Sequence, residues 1–278
     1  MKHFKVKVAV ITGAANGIGF GIAERCAQLG MKVVLAGINE ENLAKAEEQL
    51  KPTGATLLSV RTDVSKREDI EVLAQKTLDA FGAVHLLVNN AGVGAGGTVW
   101  ESTWEDWEWV MDVNLWGVIY GVKVFTPIML VQDTEAHIVN VASISGLFPS
   151  YPSAPYHITK QAVIGLTENL YYSLKQQKAR VKVSLVCPGW VKTDILKSER
   201  NRPAEFRTNM NVSPLSAAAK ETYQRMQESI EAGMSIQELA NHVFRAIEDE
   251  QLYVLTHPEY IPRIQKRFDN IVQQKNPL

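Results

Sequence analysis

The sequence VKVAVITGAANGIG, residues 6–19, is a β-branched run that passes directly into closely spaced glycines. Apolar residues then recur at helical spacing up to Gly30, so the stretch predicts a strand, a glycine turn and a helix. The glycines allow a tight turn and a close approach of the backbone to a ligand. The N-terminus of the helix offers free N–H groups and a positive dipole end to a pyrophosphate. A glycine turn in this context therefore predicts a dinucleotide-binding site.

The rest of the chain repeats this alternation of apolar strands and helices. Further strands are predicted at 32–36, 56–61, 85–88, 136–142, 181–186 and 252–256. Helices are predicted at 40–50, from near Ser65, and at 103–130, 156–178, 235–250 and 259–275. The strands are nearly all apolar, as expected for a parallel sheet covered on both faces. We expect one α/β domain over residues 1–278, in which residues 190–233 lack strand character and form a lid over the substrate.

Composition limits the classes of function. Hydrophobic residues make up 46% and charged residues 21% of the chain, which is ordinary for a globular protein. Lys and Arg total 29 against 30 for Asp and Glu, so no basic surface for nucleic acid or an anionic membrane is indicated. A small-molecule partner is expected instead. Because no apolar run reaches the length of a membrane span and no signal peptide is recognisable, we expect no membrane partner and a cytoplasmic location.

The two cysteines, Cys26 and Cys187, are far apart, and each lies among apolar residues. Buried, reduced thiols are therefore expected in preference to a disulfide. No group of residues has metal-ligand spacing, so no metal is expected.

Tyr156 and Lys160 lie four residues apart where a helix is predicted to begin. One helical turn then separates the phenol from the ammonium group on the same face. A free phenol has a pKa near ~10, and a fixed positive charge nearby lowers that pKa toward the range that proton transfer needs. The alternative is an ordinary solvated pair, because Tyr and Lys at this spacing are common on helices.

Polar residues also follow three later strands, at the sheet edge where open α/β sheets bind ligands. Asn89-Asn90-Ala91-Gly92 follows the fourth strand, Ser143 the fifth and Pro188-Gly189 the sixth. Each of these segments is also compatible with a plain turn.

The predicted helix 103–130 contains Asn114, whose amide is a mediocre helix former and needs a reason to be buried. Five of the six tryptophans lie between residues 100 and 116. Packing in the core or at a subunit interface is a better explanation for them than a ligand site.

The ends of the second and third strands bear on which dinucleotide binds. An acidic residue at the end of the second strand would accept hydrogen bonds from the adenine ribose, and an Arg would hold a 2′-phosphate. The sequence has Gly37-Ile38-Asn39 there and offers neither. Asp63 follows the third strand, where it either touches the adenine or caps the helix that begins near Ser65. Both interpretations stay open.

In this order along the chain, the motifs resemble those of the short-chain dehydrogenase/reductase family over nearly the whole length. The matching elements are Thr12-Gly13-x-x-x-Gly17-x-Gly19, Asn89-Asn90-Ala91-Gly92, Asn114, Ser143, Tyr156-x-x-x-Lys160 and Pro188-Gly189. The spacing differs from that of epimerase-like members and of enoyl reductases. The resemblance implies a doubly wound Rossmann fold with a seven-stranded parallel sheet, ordered 3-2-1-4-5-6-7. It also implies homodimers or homotetramers built through the helices that carry Asn114 and Tyr156.

The activity that the resemblance implies is NAD(P)-dependent interconversion of an alcohol and a ketone by hydride transfer. Tyr156 is then the acid/base, and Lys160 keeps its phenol acidic and binds the nicotinamide ribose. Ser143 hydrogen-bonds the substrate oxygen. Asn114 holds a water that links Lys160 to solvent.

The resemblance also implies a set of residues against the dinucleotide. They are Thr12, Gly13, Asn16, Gly17, Ile18, Gly19, Gly37, Ile38, Asp63, Val64, Asn90, Ala91, Gly92, Tyr156, Lys160, Pro188, Gly189, Val191 and Thr193. NAD-preferring relatives usually have Asp at the position of Gly37, and many NADP-preferring ones have Arg at that of Ile38. With neither present, we expect weak discrimination between NADP and NAD. We favour NADP slightly, because no carboxylate repels its 2′-phosphate and Arg61 or Lys45 would approach it.

The expected substrate is a bulky, apolar secondary alcohol or ketone. The inferred pocket is apolar and aromatic with few fixed charges, and comprises Gly94, Ile144, Leu147, Phe148, Tyr151 and Trp190. One alternative is a 3-oxoacyl-thioester reductase, which should carry a basic surface for an acidic carrier protein that the balanced charge does not suggest. The other is a non-catalytic dinucleotide-binding regulator, against which the complete set of catalytic residues argues.

Overall fold

The computed structural model describes residues 1–148, 152–207 and 217–277. Within them, seven strands form one parallel sheet in the order β3-β2-β1-β4-β5-β6-β7. This order confirms the predicted doubly wound Rossmann fold. The strands are Val8–Thr12 (β1), Lys32–Gly37 (β2), Leu57–Arg61 (β3), Leu86–Asn89 (β4), Ala136–Val141 (β5), Val181–Cys187 (β6) and Tyr253–Leu255 (β7).

Helices connect the strands and cover the sheet. They are Gly17–Gln28 (α1), Glu40–Leu50 (α2), Arg67–Phe81 (α3), Trp104–Met111 (α4), Gly117–Gln132 (α5), Ala154–Gln176 (α6), Ala217–Glu231 (α7), Ile236–Glu248 (α8) and Ile261–Val272 (α9). Successive strand side chains point to opposite faces. In β1, Ala9 and Ile11 pack with α1 and α8, whereas Val8 and Val10 pack with α3 and α5. The run of apolar residues in each strand follows from this burial on both faces.

The predicted helix 103–130 is divided by a π-helical turn, Asp112–Trp116, between α4 and α5. Its start is fixed by a capping box, in which Thr103 Oγ1 accepts from Asp106 N at 3.1 Å and Asp106 accepts from Thr103 N at 3.1 Å. This wider π-helical turn contains Asn114. Such turns inside α-helices are frequently found at functional sites.

By length and composition alone, the continuous helical stretch Trp104–Gln132 is apolar enough to cross a membrane, with a mean hydropathy of 1.4 over its most apolar window. The expectation that no stretch would qualify was therefore wrong. Core packing explains the apolar character, because α5 buries Val118, Val122, Phe125 and Met129 against the sheet and neighbouring helices. Core helices of soluble proteins reach the same length and apolar character, so these two properties are weak evidence for a membrane span.

The tryptophans of this region do not share one environment. Trp109 is fully buried, as predicted for the core, but Trp100 and Trp104 are 81% and 82% exposed. Trp116 is 44% exposed and stacks on Tyr120. Packing within the chain therefore accounts for Trp109 and not for these exposed rings. Both cysteines are buried free thiols.

His137 in β5 gives a testable link between burial and pH. Its ring is fully buried, with Nε2 2.8 Å from Ser184 Oγ, and burial lowers its pKa from 6.5 to about 3. The unfolded chain then binds one more proton than the folded chain between pH 6.5 and 3. The free energy of unfolding should therefore decrease as the pH falls through that window, by up to about 1.4 kcal/mol per pH unit from this residue alone.

Urea unfolding of the parent and of His137→Gln at pH 7, 5 and 4 measures this contribution. Gln keeps a polar group for Ser184, and the other histidines are common to both proteins. The stability difference between the two proteins should therefore change steadily in favour of the variant as the pH falls. Parallel stability curves would show that His137 does not cause the acid sensitivity.

Candidate active site

The glycine turn between β1 and α1 forms an open cradle of backbone. Gly13 and Gly17 have positive φ, at +65° and +55°. A Cβ at Gly19 would overlap the Gly13 carbonyl oxygen, so only glycine allows this packing. Asn16 is the N-cap residue of α1, but its side chain makes no capping hydrogen bond. The N–H groups of the first helical turn are therefore not used by this side chain. The cradle is thus shaped for an anion at the start of α1.

The loop after β4 is tied to the end of β1. Thr12 Oγ1 accepts from Asn90 N at 3.0 Å and from Ala91 N at 3.1 Å, and it donates to Val88 O at 3.3 Å. The Asn90 amide nitrogen donates to Thr12 O at 2.9 Å. These bonds hold Asn90, Ala91 and the glycine turn side by side at the carboxyl edge of the sheet.

Asn114 is fully buried, and both ends of its side-chain amide form hydrogen bonds. Its oxygen accepts from Val93 N at 2.8 Å, and its nitrogen donates to Val93 O at 2.9 Å and to Thr159 Oγ1 at 3.3 Å. The π-turn is thereby joined to the loop after β4 and to α6. These partners explain the buried amide, and the water-holding role of Asn114 stays a prediction.

Ser143, Tyr156 and Lys160 converge between the end of β5 and the first turns of α6. Ser143 Oγ accepts from Ser145 N at 3.1 Å and also hydrogen-bonds the Tyr156 phenol. Lys160 Nζ donates to Val141 O at 2.9 Å and lies 5.6 Å from the centre of the Tyr156 ring. The structure thus brings the three predicted side chains together, and two of them share a hydrogen bond.

Gly92 brings this group next to the β4 loop. A Cβ placed on Gly92 would lie 3.5 Å from Lys160 Nζ and 3.4 Å from Asn114 Oδ1. Asn114 and Lys160 therefore approach the same point of the chain. All four predicted catalytic residues lie around the ends of β4 and β5.

The pKa values differ from the expectation. Burial raises the pKa of the Tyr156 phenol, and its hydrogen bond with Ser143 only opposes that rise. Burial also lowers the pKa of Lys160 from 10.5 to about 8, because the charged ammonium group is desolvated. The predicted lowering of the Tyr156 pKa by Lys160 is thus wrong for this structure, because desolvation of the phenol dominates.

The predicted adenine-side residues lie on the other side of β1. Gly37 is buried at the end of β2, Ile38 is 37% exposed, and Asn39 caps α2 by accepting from Asn42 N at 2.8 Å. The two cations expected near a 2′-phosphate are both paired. Arg61 lies 2.9 Å from Asp69 and Lys45 lies 2.6 Å from Glu41.

Asp63 closes a turn after β3. Its Oδ1 accepts from Ser65 N at 3.0 Å and from Ser65 Oγ at 2.7 Å. Helix α3 begins at Arg67, and its N-cap residue is Lys66. Asp63 therefore does not cap the helix, so that one of its two interpretations was wrong. Val64 is buried and packs against Gly117, where a Cβ would lie 2.9 Å from Val64 Cγ2.

The segment after β6 runs from the Ser143 group to the glycine cradle. Pro188 O accepts from Ile144 N at 2.9 Å and lies 3.4 Å from Ser143 Oγ. At its other end, Thr193 Cγ2 lies 3.2 Å from the position of a Cβ on Gly17. Residues 188–193, with the buried Val191, therefore connect the two predicted parts of the site.

The sequence of residues 7–204 matches the family model described as short chain dehydrogenase. This match covers well over half of the chain. The chain belongs to the short-chain dehydrogenase family. The family assignment from the sequence motifs is confirmed, and it places the protein among the oxidoreductases.

Relatives support this assignment over the full length. The short-chain dehydrogenase is 39% identical over 277 residues to a CLA biosynthesis dehydrogenase/reductase from Lactiplantibacillus plantarum, covering 100% of this chain and 97% of that protein. It is 33% identical to a C alpha-dehydrogenase from Sphingobium sp. strain SYK-6, covering 100% of this chain and 89% of that protein. The crystal structure of a short chain dehydrogenase/reductase from Burkholderia phymatum in complex with NAD has a TM-score of 0.96 and 43% identity, covering 100% and 98% of the two chains.

The predicted pocket of this short-chain dehydrogenase is largely apolar where it is described. Ile144 and Phe148 are buried, and Leu147 and Trp190 are half-buried. Gly94 lies under the segment after β6, since Gly94 N donates to Ser198 Oγ at 3.1 Å. Tyr151 lies outside the described residues.

Arg202 is a residue that the sequence reasoning missed. It is 7% exposed, lies 2.6 Å from Asp106 and 2.8 Å from Glu199, and stacks 4.3 Å from the centre of the Trp109 ring. The Arg202 side chain also donates to Phe206 O at 3.2 Å. It therefore holds the described first part of the predicted lid against α4. No motif marked it, because an arginine in a polar stretch has no local signal of burial.

Proposed function

We propose that this short-chain dehydrogenase interconverts a bulky, apolar secondary alcohol and its ketone with a nicotinamide dinucleotide. The observation that carries the proposal is the convergence of Ser143, Tyr156 and Lys160 beside a backbone cradle that only glycine permits. A non-catalytic protein would need the cradle but not the three converging side chains. The names of the two curated relatives, a dehydrogenase/reductase and a dehydrogenase, support catalysis.

The cradle suits the dinucleotide in shape and charge. The uncapped start of α1 would hold the pyrophosphate, with Gly13, Gly17 and Gly19 allowing its close approach. Residues 90–92 and 188–193 would flank the half of the dinucleotide that reaches Tyr156. The bound nicotinamide would supply or accept the hydride. The similar protein from Burkholderia phymatum was crystallised in complex with NAD, which supports a nicotinamide dinucleotide as the cofactor.

Tyr156 moves the proton of the substrate oxygen. In alcohol oxidation its phenolate removes the hydroxyl proton, and in ketone reduction its phenol protonates the developing alkoxide. Ser143 donates to the substrate oxygen and stabilises the charge that develops there. Lys160, within 5.6 Å of the Tyr156 ring centre, favours the phenolate against the effect of burial when it is protonated.

The dinucleotide preference is weak in this proposal. The expected choice of NADP depended partly on Arg61 and Lys45, whose charges are engaged by Asp69 and Glu41. Only the missing carboxylate at Gly37 still favours the 2′-phosphate. A slight preference for NADP therefore remains in the proposal, and it depends on the absent carboxylate at Gly37.

The remaining architecture follows the sequence expectations. Residues 1–278 form one domain in this proposal, and residues 190–233 form its lid. Oligomers would be homodimers or homotetramers built through α4, α5 and α6, which would cover the exposed Trp116 and Tyr172. Light scattering of the purified protein measures the subunit number.

A panel of aryl ketones and secondary alcohols, assayed with NADH, NADPH and their oxidised forms, tests the function. Turnover of bulky apolar ketones with at least one cofactor is the expected result. Preference for 3-oxoacyl thioesters would favour the thioester-reductase alternative. Tight dinucleotide binding with no turnover of any ketone or alcohol would favour a regulator and reject catalysis.

Replacing Arg202 with Met should loosen the first part of the lid. Met retains apolar bulk against Trp109 but leaves the largely buried Asp106 without its cation. Loss of hydrogen bonds to charged groups costs roughly 1.5–3 kcal/mol each, so trypsin cleavage near Lys197 and Arg200 should accelerate about tenfold.

Glu199→Gln is the matched control for Arg202→Met. The Glu199 side chain is 67% exposed, and exposed ion pairs contribute little. Its cleavage rate should stay near that of the parent. Equal rates in parent and Arg202→Met would show that the buried ion pair does not hold the segment.

A further inference from the structure

His257 follows β7 and lies against the Pro188–Trp190 turn. The residue is 8% exposed, and a Cβ on Gly189 would lie 2.7 Å from His257 Cγ, so the imidazole packs directly on the Gly189 backbone. None of the sequence motifs includes it. The turn that it touches is the one that joins the Ser143 group to the glycine cradle.

The hydrogen bonds of His257 fix its tautomer. Gly189 N lies 3.0 Å from Nδ1, and a backbone N–H only donates, so Nδ1 is an unprotonated acceptor. The proton then resides on Nε2, which donates to Trp190 O at 3.0 Å. Nδ1 also lies 2.8 Å from Thr256 Oγ1, so the ring binds the N–H of Gly189, the hydroxyl of Thr256 and the carbonyl of Trp190.

The bonds to Gly189 and to Trp190 are not equally replaceable. Trp190 O also accepts from Met234 N at 3.0 Å, so that carbonyl keeps a partner if Nε2 is lost. Among the described residues, the hydrogen bond that Gly189 N makes is the one to His257 Nδ1. Loss of the acceptor leaves the part-buried Gly189 N–H without this partner, which destabilises the observed shape of the turn.

The position of this turn links it to the reaction. Pro188 O lies 3.4 Å from Ser143 Oγ, whereas Thr193 lies against Gly17 of the cradle. If the cradle holds the pyrophosphate, as the proposed function requires, the Pro188–Trp190 end borders the nicotinamide. The adenine half lies on the far side, toward β2 and β3.

We propose that His257 is a positioning residue that holds the Pro188–Trp190 turn in the shape that binds the nicotinamide end of the dinucleotide. It acts through the Gly189 N–H and makes no contact with the reacting atoms. The inference rests on the proposed function, since it presumes a dinucleotide in the cradle. It adds a residue from the C-terminal part of the chain, 68 positions from Gly189, to the machinery of that site.

Two substitutions separate the bond that the ring makes to Gly189 from the bond that it makes to Trp190. The side-chain amide of Asn falls near the position of Nδ1, so His257→Asn keeps an acceptor for Gly189 N–H. The amide of Gln reaches the position of Nε2, so His257→Gln keeps a donor for Trp190 O and loses the acceptor. His137→Gln, at the far core position in β5, controls for replacing a buried histidine with Gln.

The measurement is the dissociation constant of each protein for NADH and for ADP-ribose, which lacks the nicotinamide ring, by titration calorimetry. His257→Gln should bind NADH about tenfold more weakly than the parent, because an unsatisfied N–H in a part-buried turn is costly, with ADP-ribose binding within about twofold of the parent. His257→Asn should restore most of the NADH affinity. His137→Gln should bind both ligands as the parent does.

Two other results for His257→Gln would reject the proposal. Equal weakening of NADH and ADP-ribose in His257→Gln would mean a general structural role, and unchanged NADH binding would mean no role. If His257→Gln does not fold, His257→Leu, which also lacks the acceptor, is compared with His257→Asn. Selective loss of NADH affinity in the Leu variant alone supports the acceptor role, and equal NADH affinity in the two variants contradicts it. A parent that binds neither ligand would reject the proposed function itself, and this inference with it.

Discussion

Tyr156→Phe should lower turnover by about 10²–10⁴-fold while the dissociation constant for the dinucleotide stays near that of the parent. The substitution deletes the hydroxyl that moves the proton and keeps the ring that packs beside Lys160, whose ammonium group lies 5.6 Å from the ring centre. The Ser143 hydroxyl loses its phenol partner but keeps Ser145 N at 3.1 Å. The chemistry should therefore fail without collapse of the site. Steady-state kinetics with a ketone from the panel, together with dinucleotide titration, measure both effects.

Tyr172→Phe is the matched control for Tyr156→Phe. Tyr172 lies on the same helix, α6, and is 69% exposed, so the same chemical change there should leave turnover unaltered. Ser143→Ala should behave like Tyr156→Phe. Lys160→Met should reduce both turnover and dinucleotide affinity, because Lys160 is expected to bind the nicotinamide ribose as well. Turnover of Tyr156→Phe within a few-fold of the parent would remove Tyr156 from the mechanism.

The parts of the fold that the sequence predicted well are those with local causes. The run Val8–Thr12 and the glycines after it define a strand, a turn and a helix from neighbouring residues alone, and the structure confirms all three. The convergence of Ser143 with Tyr156 also follows locally, since both flank the single connection from β5 to α6. Parallel strands then bring the separate motifs to one edge of the sheet.

The parts that the sequence did not predict depend on distant partners. Arg202 is buried against Asp106, a partner 96 positions away in the sequence. His257 binds Gly189, which is 68 positions away. The π-turn around Asn114 is stabilised by Val93, 21 positions earlier. Local periodicity contains no information on such contacts. The direction of the Tyr156 pKa was missed for the same reason, because the loss of solvent around the phenol depends on the whole fold whereas Lys160 is visible four residues later.

The end of β2 is a place where one carboxylate should decide the cofactor. Gly37→Asp should raise the ratio of kcat/KM for NADH to that for NADPH by about 10- to 100-fold, because one charge-assisted hydrogen bond contributes roughly 1.5–3 kcal/mol. The backbone allows the side chain. A Cβ on Gly37 would lie 3.4 Å from Leu43 Cδ2 and 3.9 Å from Ala15 Cβ, which are ordinary contacts, and Gly37 is not among the positive-φ residues.

Gly37→Asn separates the charge of the new side chain from its size. Asn fills the same space and hydrogen-bonds the ribose hydroxyls, but it does not repel a 2′-phosphate. Its cofactor ratio should therefore lie between those of the parent and of Gly37→Asp, with most of the loss of NADPH activity confined to Asp. Equal ratios for Asn and Asp would mean that bulk at the end of β2, and not charge, sets the preference. An unchanged ratio in Gly37→Asp would mean that the adenine ribose does not lie at this strand end, which would contradict the placement of the dinucleotide from the cradle toward β2.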